Sequence, residues 1–302
     1  MSMRDQPEMV DDHPGALLRF PRRREKRASF GGTLLRAGAL ELRLAETKKE
    51  IRKAQRLRYK VFYEDGCATP DMTAALIRRD VCRFDKVCDH LLVVDHAALD
   101  RKGRARAKVV GAYRLLRQDV AEKNFGFYGA GEYDIAPLLA RHPDKRFLEL
   151  GRSCVLGPYR SRRVLDLLWR GIGIYLDHHG IDVMFGCASF EGVDPALHAR
   201  ALAFLNACAK SRPDWRVSAL PERHVAMSGL DQEIIDRRAA LADLPPLVKG
   251  YLRCGATVGD GAVIDAQFGT TDVFVVMPVA DIDPRVFGRF GAGKAATEVA
   301  AA

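Results

Sequence analysis

Hydrophobic and polar positions change period several times along the chain of 302 residues. Leu40-Glu41-Leu42-Arg43-Leu44-Ala45 alternates with period two and predicts a strand. From Thr47 the period lengthens. Ile51, Ala54, Val61 and Phe62 mark the apolar stripe of a helix running to about Tyr63, with Thr47 as its cap and Glu50 three residues on as capping-box partner. Strands follow at about 90–96 and 108–116, split by a polar turn around Asp100 to Arg104. The second is apolar on both faces, as in the middle of a sheet. Phe147 to Leu156 predicts a further buried strand. Val164 to His179 predicts a helix that stops at Gly180. Ile181 to Ala188 reads as a strand and Pro195 to Lys210 as a helix. Ala262 to Ala266 and Asp272 to Met277 read as a final strand pair. The pattern is weakest over 190–250. This order predicts one α/β domain with a mixed central sheet and helices on both faces, over residues 39–290. Residues 1–38 predict a basic, flexible arm and 291–302 a flexible tail.

Composition narrows the partners. There are 48 Lys and Arg against 39 Asp and Glu, a net charge of +9. Such a surface suits an acidic partner, whether nucleic acid, anionic membrane or acidic carrier protein. The seven cysteines include no CxxC pair, which predicts reduced thiols and a cytoplasmic protein. Cys82 and Cys88 flank Asp85, but no histidine set completes a zinc pattern, so no metal is expected. The N-terminal stretch lacks the apolar core of a signal peptide. No apolar run approaches the roughly 18 residues of a membrane span. Within the arm, Leu17, Leu18 and Phe20 precede Arg22-Arg23-Arg24-Glu25-Lys26-Arg27. That run reads either as a solvated tail or as an electrostatic foot for peripheral contact with an anionic inner membrane.

Charges inside apolar elements point to chemistry. Glu149 and Arg152 lie in the Phe147–Leu156 strand, with Gly151 between them where a bulge could re-aim a side chain. A buried, unpaired charge costs several kcal/mol, so these two either pair with each other or do a task. Glu149 is the candidate general base. Arg58 falls within the apolar stripe of the first helix and Arg114 within the central strand. Arg58 either snorkels to solvent or enters a polar pocket. Cys154 and Cys187 sit in apolar strands, where thiols are inert. His90 and His96 flank a strand and are expected to satisfy its ends.

Arg58 with Val61-Phe62, Phe84-Asp85, Gly111 with Arg114, and Glu149 with Arg152 together resemble the Gcn5-related N-acyltransferase superfamily, in the branch shared with acyl-homoserine-lactone synthases. Four further segments are similar to the bacterial L-ornithine N-alpha-acyltransferases. They are Glu149 to Val155, Gly186 to Phe190, Lys249 to Leu252 and Asp265 to Asp272. The resemblance implies transfer of a 3-hydroxy fatty acyl group from acyl carrier protein to the alpha-amine of L-ornithine, giving lyso-ornithine lipid. It implies Glu149 and Arg152 as catalytic residues and Arg58, Phe62, Asp85 and Arg114 around the amino acid. Candidates for the substrate's side-chain ammonium are Asp85, Asp265 and Asp272. No nucleic acid and no cofactor of the enzyme's own is expected, because the donor brings its phosphopantetheine.

The loop after the Glu149 strand departs from acetyl-CoA enzymes of the superfamily. Gly157-Pro158-Tyr159-Arg160-Ser161-Arg162-Arg163 has one glycine and three arginines. A pyrophosphate favours glycines for close backbone approach, whereas a single phosphate can be met by Arg160, Arg162, Arg163 and a helix N-terminus. The loop therefore favours a carrier protein over CoA. Two alternatives remain at this point, an acyl-homoserine-lactone synthase-like enzyme and a non-catalytic acyl- or carrier-binding module.

Overall fold

Period-two segments become the strands of one sheet, and the longer-period segments become the helices that cover it. The computed structural model describes residues 30–100, 102–228 and 236–282. The elements run β1 (Gly32–Ala37), β2 (Leu40–Leu44), α1 (Lys48–Tyr59), α2 (Met72–Ile77), β3 (Asp89–Asp95), β4 (Lys108–Arg117), α3 (Gln118–Glu122) and α4 (Ala136–Arg141). They continue with β5 (Phe147–Val155), α5 (Arg162–His179), β6 (Val183–Glu191), α6 (Ala199–Cys208), α7 (Arg237–Asp243), α8 (Pro246–Arg253), β7 (Thr257–Asp265) and β8 (Thr270–Pro278). Among the described residues the sheet has eight strands, in the order β1-β2-β3-β4-β5-β6-β8-β7.

Among the strands of the described residues, only β5 and β6 pair in parallel, and α5 supplies the crossover that a parallel pair needs. That pairing covers Phe147 to Glu149 against Val183 to Phe185. Beyond Glu149 the two strands part. β5 continues against β4 as far as Val155, and β6 continues against β8 as far as Glu191. The sheet thus forks at Glu149.

The capping box on α1 forms as expected, with Thr47 Oγ1 accepting from Glu50 N–H and Glu50 accepting from Thr47 N–H. α1 buries Ala54 and Leu57, and Val61 after it, against Leu92, Val94, Val109 and Ala112. Each fully buried Leu or Val contributes about 1.5–3 kcal/mol. The alternate residues Leu91 and Leu42 face Gly171 of α5, so α1 and α5 cover opposite faces. α5 ends where predicted. Gly180 takes φ 60°, the left-handed cap that glycine adopts without steric cost.

Three differences from the sequence reading have physical causes. Residues assigned to the arm form β1, an edge strand held by five register pairs to β2; its Gly-Gly start hides the alternation. The N-terminal helix does not stay α-helical to Tyr63 but widens into a π-turn over Lys60–Glu64. The helix expected from Pro195 starts as a 3-10 turn, Pro195–His198, before α6. The rest of the arm, residues 1–29, and the tail, 291–302, lie outside the described residues. Among the described residues, no helix is long and apolar enough to cross a membrane.

Candidate active site

The site grows from an irregularity in β5. Tyr113 of β4 faces two residues of β5, Arg152 and Ser153, between the regular pairs Ala112–Cys154 and Arg114–Gly151. Arg152 takes φ 50°, a left-handed conformation unusual for a residue with a side chain. Such strain costs roughly 1–3 kcal/mol and persists only where the surroundings enforce it. The bulge expected near Gly151 therefore falls one residue later. It turns Arg152 toward the elements that Glu149 also faces.

Glu149 is 5% exposed and marks the fork. Its two oxygens accept N–H bonds from Tyr128 and Gly129, both at 2.7 Å. A Cβ at position 129 would sit 3.1 Å from Glu149 Oε1, so glycine lets the loop backbone approach. Burial pushes the Glu149 carboxyl up, against the pull of those two backbone bonds and of Arg114 and Arg152. The net shift is upward, so burial dominates. Arg152 does not pair with Glu149. Its Nη2 donates to Tyr128 Oη at 3.1 Å and its Nε lies 3.4 Å from Asp80. The guanidinium also stacks over the rings of Tyr128 and Phe268, at 4.7 and 4.2 Å.

Arg58 is sealed in rather than snorkelling. It is 1% exposed, with Nε 2.7 Å from Asp80 and Nη2 2.7 Å from Asp85. Burial opposes its charge, but Asp80 and Asp85 outweigh that and hold its pKa above the usual value. Asp85 is likewise committed. Burial raises its carboxyl, yet Arg58 and a bond from Gln55 bring it down to about 2. Arg114 is 3% exposed, close to Cys82 Sγ and lying over the rings of Phe84 and Tyr128. Arg58 and Asp85 thus pair with each other in the interior beside the site. Phe62 meets Phe268 edge-on at 5.7 Å, which props the ring that Arg152 stacks on.

Beside this cluster lies an open cleft of about 660 Å³, lined by Cys82, Phe84, Tyr128, Glu132, Arg223 and Asp265 among others. Glu132 carries no periodic pattern around it, and the sequence reading missed it along with Tyr128 and Asp80. Burial, then the charges of Asp272 and Asp265, push its carboxyl up to about 7. The Cys187 thiol lies 3.5 Å from Glu132. Burial and the carboxylates of Glu132, Asp272 and Glu149 hold that thiol well above its usual pKa, and burial takes Cys154 up to about 12. Both sulfurs are inert as nucleophiles. His90 bonds the carbonyl of Asp85, and His96 bonds Glu41.

The basic loop stands apart from the cleft. Arg162 pairs with Asp166 along α5, Arg160 bonds the Val155 carbonyl, and Arg163 donates to the Ala37 carbonyl of β1. Ser161 makes no side-chain cap on α5, so the first-turn N–H groups point outward. Since α5 follows the free end of β5, this helix N-terminus lies at the open end of the fork.

Residues 57–170 match the acetyltransferase (GNAT) domain family. L-ornithine N(alpha)-acyltransferase of Brucella abortus is 49% identical over 267 residues, covering 88% of this chain and 94% of that protein. The protein of the same name from Rhizobium meliloti is 50% identical over 265 residues, covering 88% of each chain. The chain belongs to the L-ornithine N(alpha)-acyltransferase family. It is an acyltransferase built on a GNAT fold, so the alternatives of a lactone synthase-like enzyme and a non-catalytic module give way. Among solved structures, an N-acyl amino acid synthase from uncultured soil microbes aligns with a TM-score of 0.46 and 11% identity, over 80% of this chain and 92% of that one.

Proposed function

We propose that this enzyme transfers a 3-hydroxy fatty acyl group from acyl carrier protein to the alpha-amine of L-ornithine, forming the single-chain lyso-ornithine lipid. The observation that carries this reading is the fork at Glu149. Two strand edges diverge there, and such edges offer N–H and C=O groups to an extended, amide-bearing arm such as phosphopantetheine. The phosphate of that arm meets the uncapped α5 N-terminus with Arg160 and Arg162. A single phosphate suits this one-glycine loop better than a pyrophosphate does. The thioester then reaches Glu149 at the base of the fork.

The amino acid occupies the adjoining cleft. Of the three arginines in the cluster, Arg152 has the most exposed side chain, 13% against 4% for Arg114 and 1% for Arg58, so it takes the alpha-carboxylate. Arg58, Asp80, Asp85 and Arg114 hold it in place. Glu149, with its raised pKa, accepts a proton from the alpha-ammonium, directly or through a water. The amine nitrogen attacks the thioester carbon, the C–N bond forms, and the C–S bond breaks. The sulfur leaves as thiolate and takes up the second proton, which the nitrogen sheds on becoming an amide, while the first passes from Glu149 to solvent, giving amide and free carrier thiol.

Cells producing the enzyme and fed labelled ornithine accumulate a labelled lyso-lipid on this reading; its absence from cells that make active acyl carrier protein would count against it. The basic N-terminal run is proposed to hold the enzyme on anionic membrane. Removing residues 1–29 keeps β1 whole and should abolish sedimentation with anionic vesicles. Unchanged sedimentation would dismiss that role.

A further inference from the structure

We propose that Glu132, Asp265 and Asp272 together recognise the acceptor's side-chain ammonium, making this carboxylate set the determinant of specificity for a diamino acid. The inference rests on the reading of the chain as an ornithine acyltransferase. Asp272 carries it. The residue is 6% exposed, and its Oδ1 is buried with no hydrogen-bond partner. A buried carboxylate oxygen left unpaired costs free energy unless a ligand completes it. Asp272 lies on β8 opposite Ser189 of β6 and Val263 of β7. Its face carries Phe274, which packs on Tyr133, the neighbour of Glu132 in the chain. Asp272 is also the first charge acting on Glu132, followed by Asp265.

The charge balance points the same way. The charges of Asp272 and Asp265 both act on Glu132, and the cation that pairs with Glu132 is Arg223, at 3.5 Å with its side chain 43% exposed. Burial, with the charge of Asp265, raises the Asp272 carboxyl despite hydrogen bonds from Thr270 and Ser189 and the opposing charge of Arg152. A primary ammonium brings one positive charge and three donors, enough for one oxygen from each carboxylate. Tyr128 places this set relative to Arg152. The charges of Arg152, Glu132 and Asp265 all act on its hydroxyl. A cation for the alpha-carboxylate and anions for the far amine thus flank one ring. An extended ornithine separates its two nitrogens by roughly 6 Å, a span suited to Tyr128 lying between the two ends.

The test compares L-ornithine with L-norvaline, which has the same carbon chain and no side-chain amine, using 3-hydroxyacyl-acyl carrier protein as donor. Wild type should prefer ornithine. Asp272→Asn and Glu132→Gln should each cut the ornithine-to-norvaline ratio of kcat/KM by about 10- to 100-fold, the loss of one charge-assisted bond. Asp265→Asn, at a half-buried turn whose Oδ1 caps Gln267 and Phe268, keeps the turn and should lower the ratio less. It serves if a buried variant does not fold. An unchanged ratio in the folded variants, or a wild type that uses both amino acids equally, would overturn the inference while leaving the ornithine reading intact. A wild type inactive on ornithine would instead overturn that reading, and this inference with it.

Discussion

Replacing Glu149 with glutamine separates two roles that the geometry combines. The carboxylate accepts one backbone N–H on each oxygen, from Tyr128 and Gly129. Glutamine keeps one acceptor and turns an NH2 group toward the other N–H. One buried donor is then left unpaired, at a cost of about 1–3 kcal/mol. For a domain of this size, each kcal/mol lowers the melting temperature by about 2–4 °C, so a drop of roughly 2–12 °C is expected. A protein with several kcal/mol in reserve stays folded at assay temperature. The rate should fall much further, by about 10²–10⁴-fold, because the proton acceptor is gone. The assay is steady-state turnover with 3-hydroxyacyl-acyl carrier protein and L-ornithine across pH, beside a thermal melt. The base acts in its ionised form, and burial raises its pKa. Wild-type kcat/KM should therefore decline as pH falls through that raised value, and the variant should lose this acid limb. Turnover close to wild type, together with the expected drop in melting temperature, would refute the base assignment and leave Glu149 as an anchor for the Tyr128–Gly129 loop.

Arg58→Met strands Asp80 and Asp85 in the interior and should cost about 3–5 kcal/mol, read as a lower denaturation midpoint; a change within error would show the cluster to be dispensable. Glu132 sits at about 7 in the fold against about 4.3 in the unfolded chain. Its stabilising contribution is full below about 4.3 and is lost as pH rises through 7, so Glu132→Gln should gain stability relative to wild type between about pH 5 and pH 8. A stability difference that stays flat over that window would contradict the shift. Arg160→Ala with Arg162→Ala should raise the apparent KM for acyl carrier protein, more at low salt than at high salt. Arg163 is left in place because it bonds β1. An unchanged salt slope would move the donor's docking surface elsewhere.

The central strands and both long helices were legible because their periods and caps are local properties. Thr47 with Glu50, and Gly180 after His179, fix their helix ends through contacts within a few residues. The lone charges Arg58, Arg114, Glu149 and Arg152 were also visible, since each breaks an apolar stripe. What they touch was not visible. Asp80 lies in an aperiodic stretch, and nothing local says that it meets both Arg58 and Arg152. Glu132 lies in a loop made irregular by Gly129 and Gly131, and its environment comes from β7 and β8, more than a hundred residues away in the chain. The sequence offered Asp85, Asp265 and Asp272 as equal candidates for an ammonium. Tertiary packing separates them through charge, because Asp85 lies against Arg58 and takes a bond from Gln55, while Asp265 and Asp272 are the charges that act on Glu132. The arm boundary was placed too late, since β1 acquires its strand character from pairing with β2.

The central claim is acyl transfer from a carrier protein to the alpha-amine of ornithine. Its most direct test supplies the purified enzyme with L-ornithine and 3-hydroxyacyl-acyl carrier protein, or with the matching acyl-CoA, and identifies the product by mass spectrometry with fragmentation. The account predicts ornithine acylated on the alpha-nitrogen, formed faster from the carrier protein than from CoA. No acyl-ornithine from either donor, or acylation of the side-chain nitrogen instead, would contradict it.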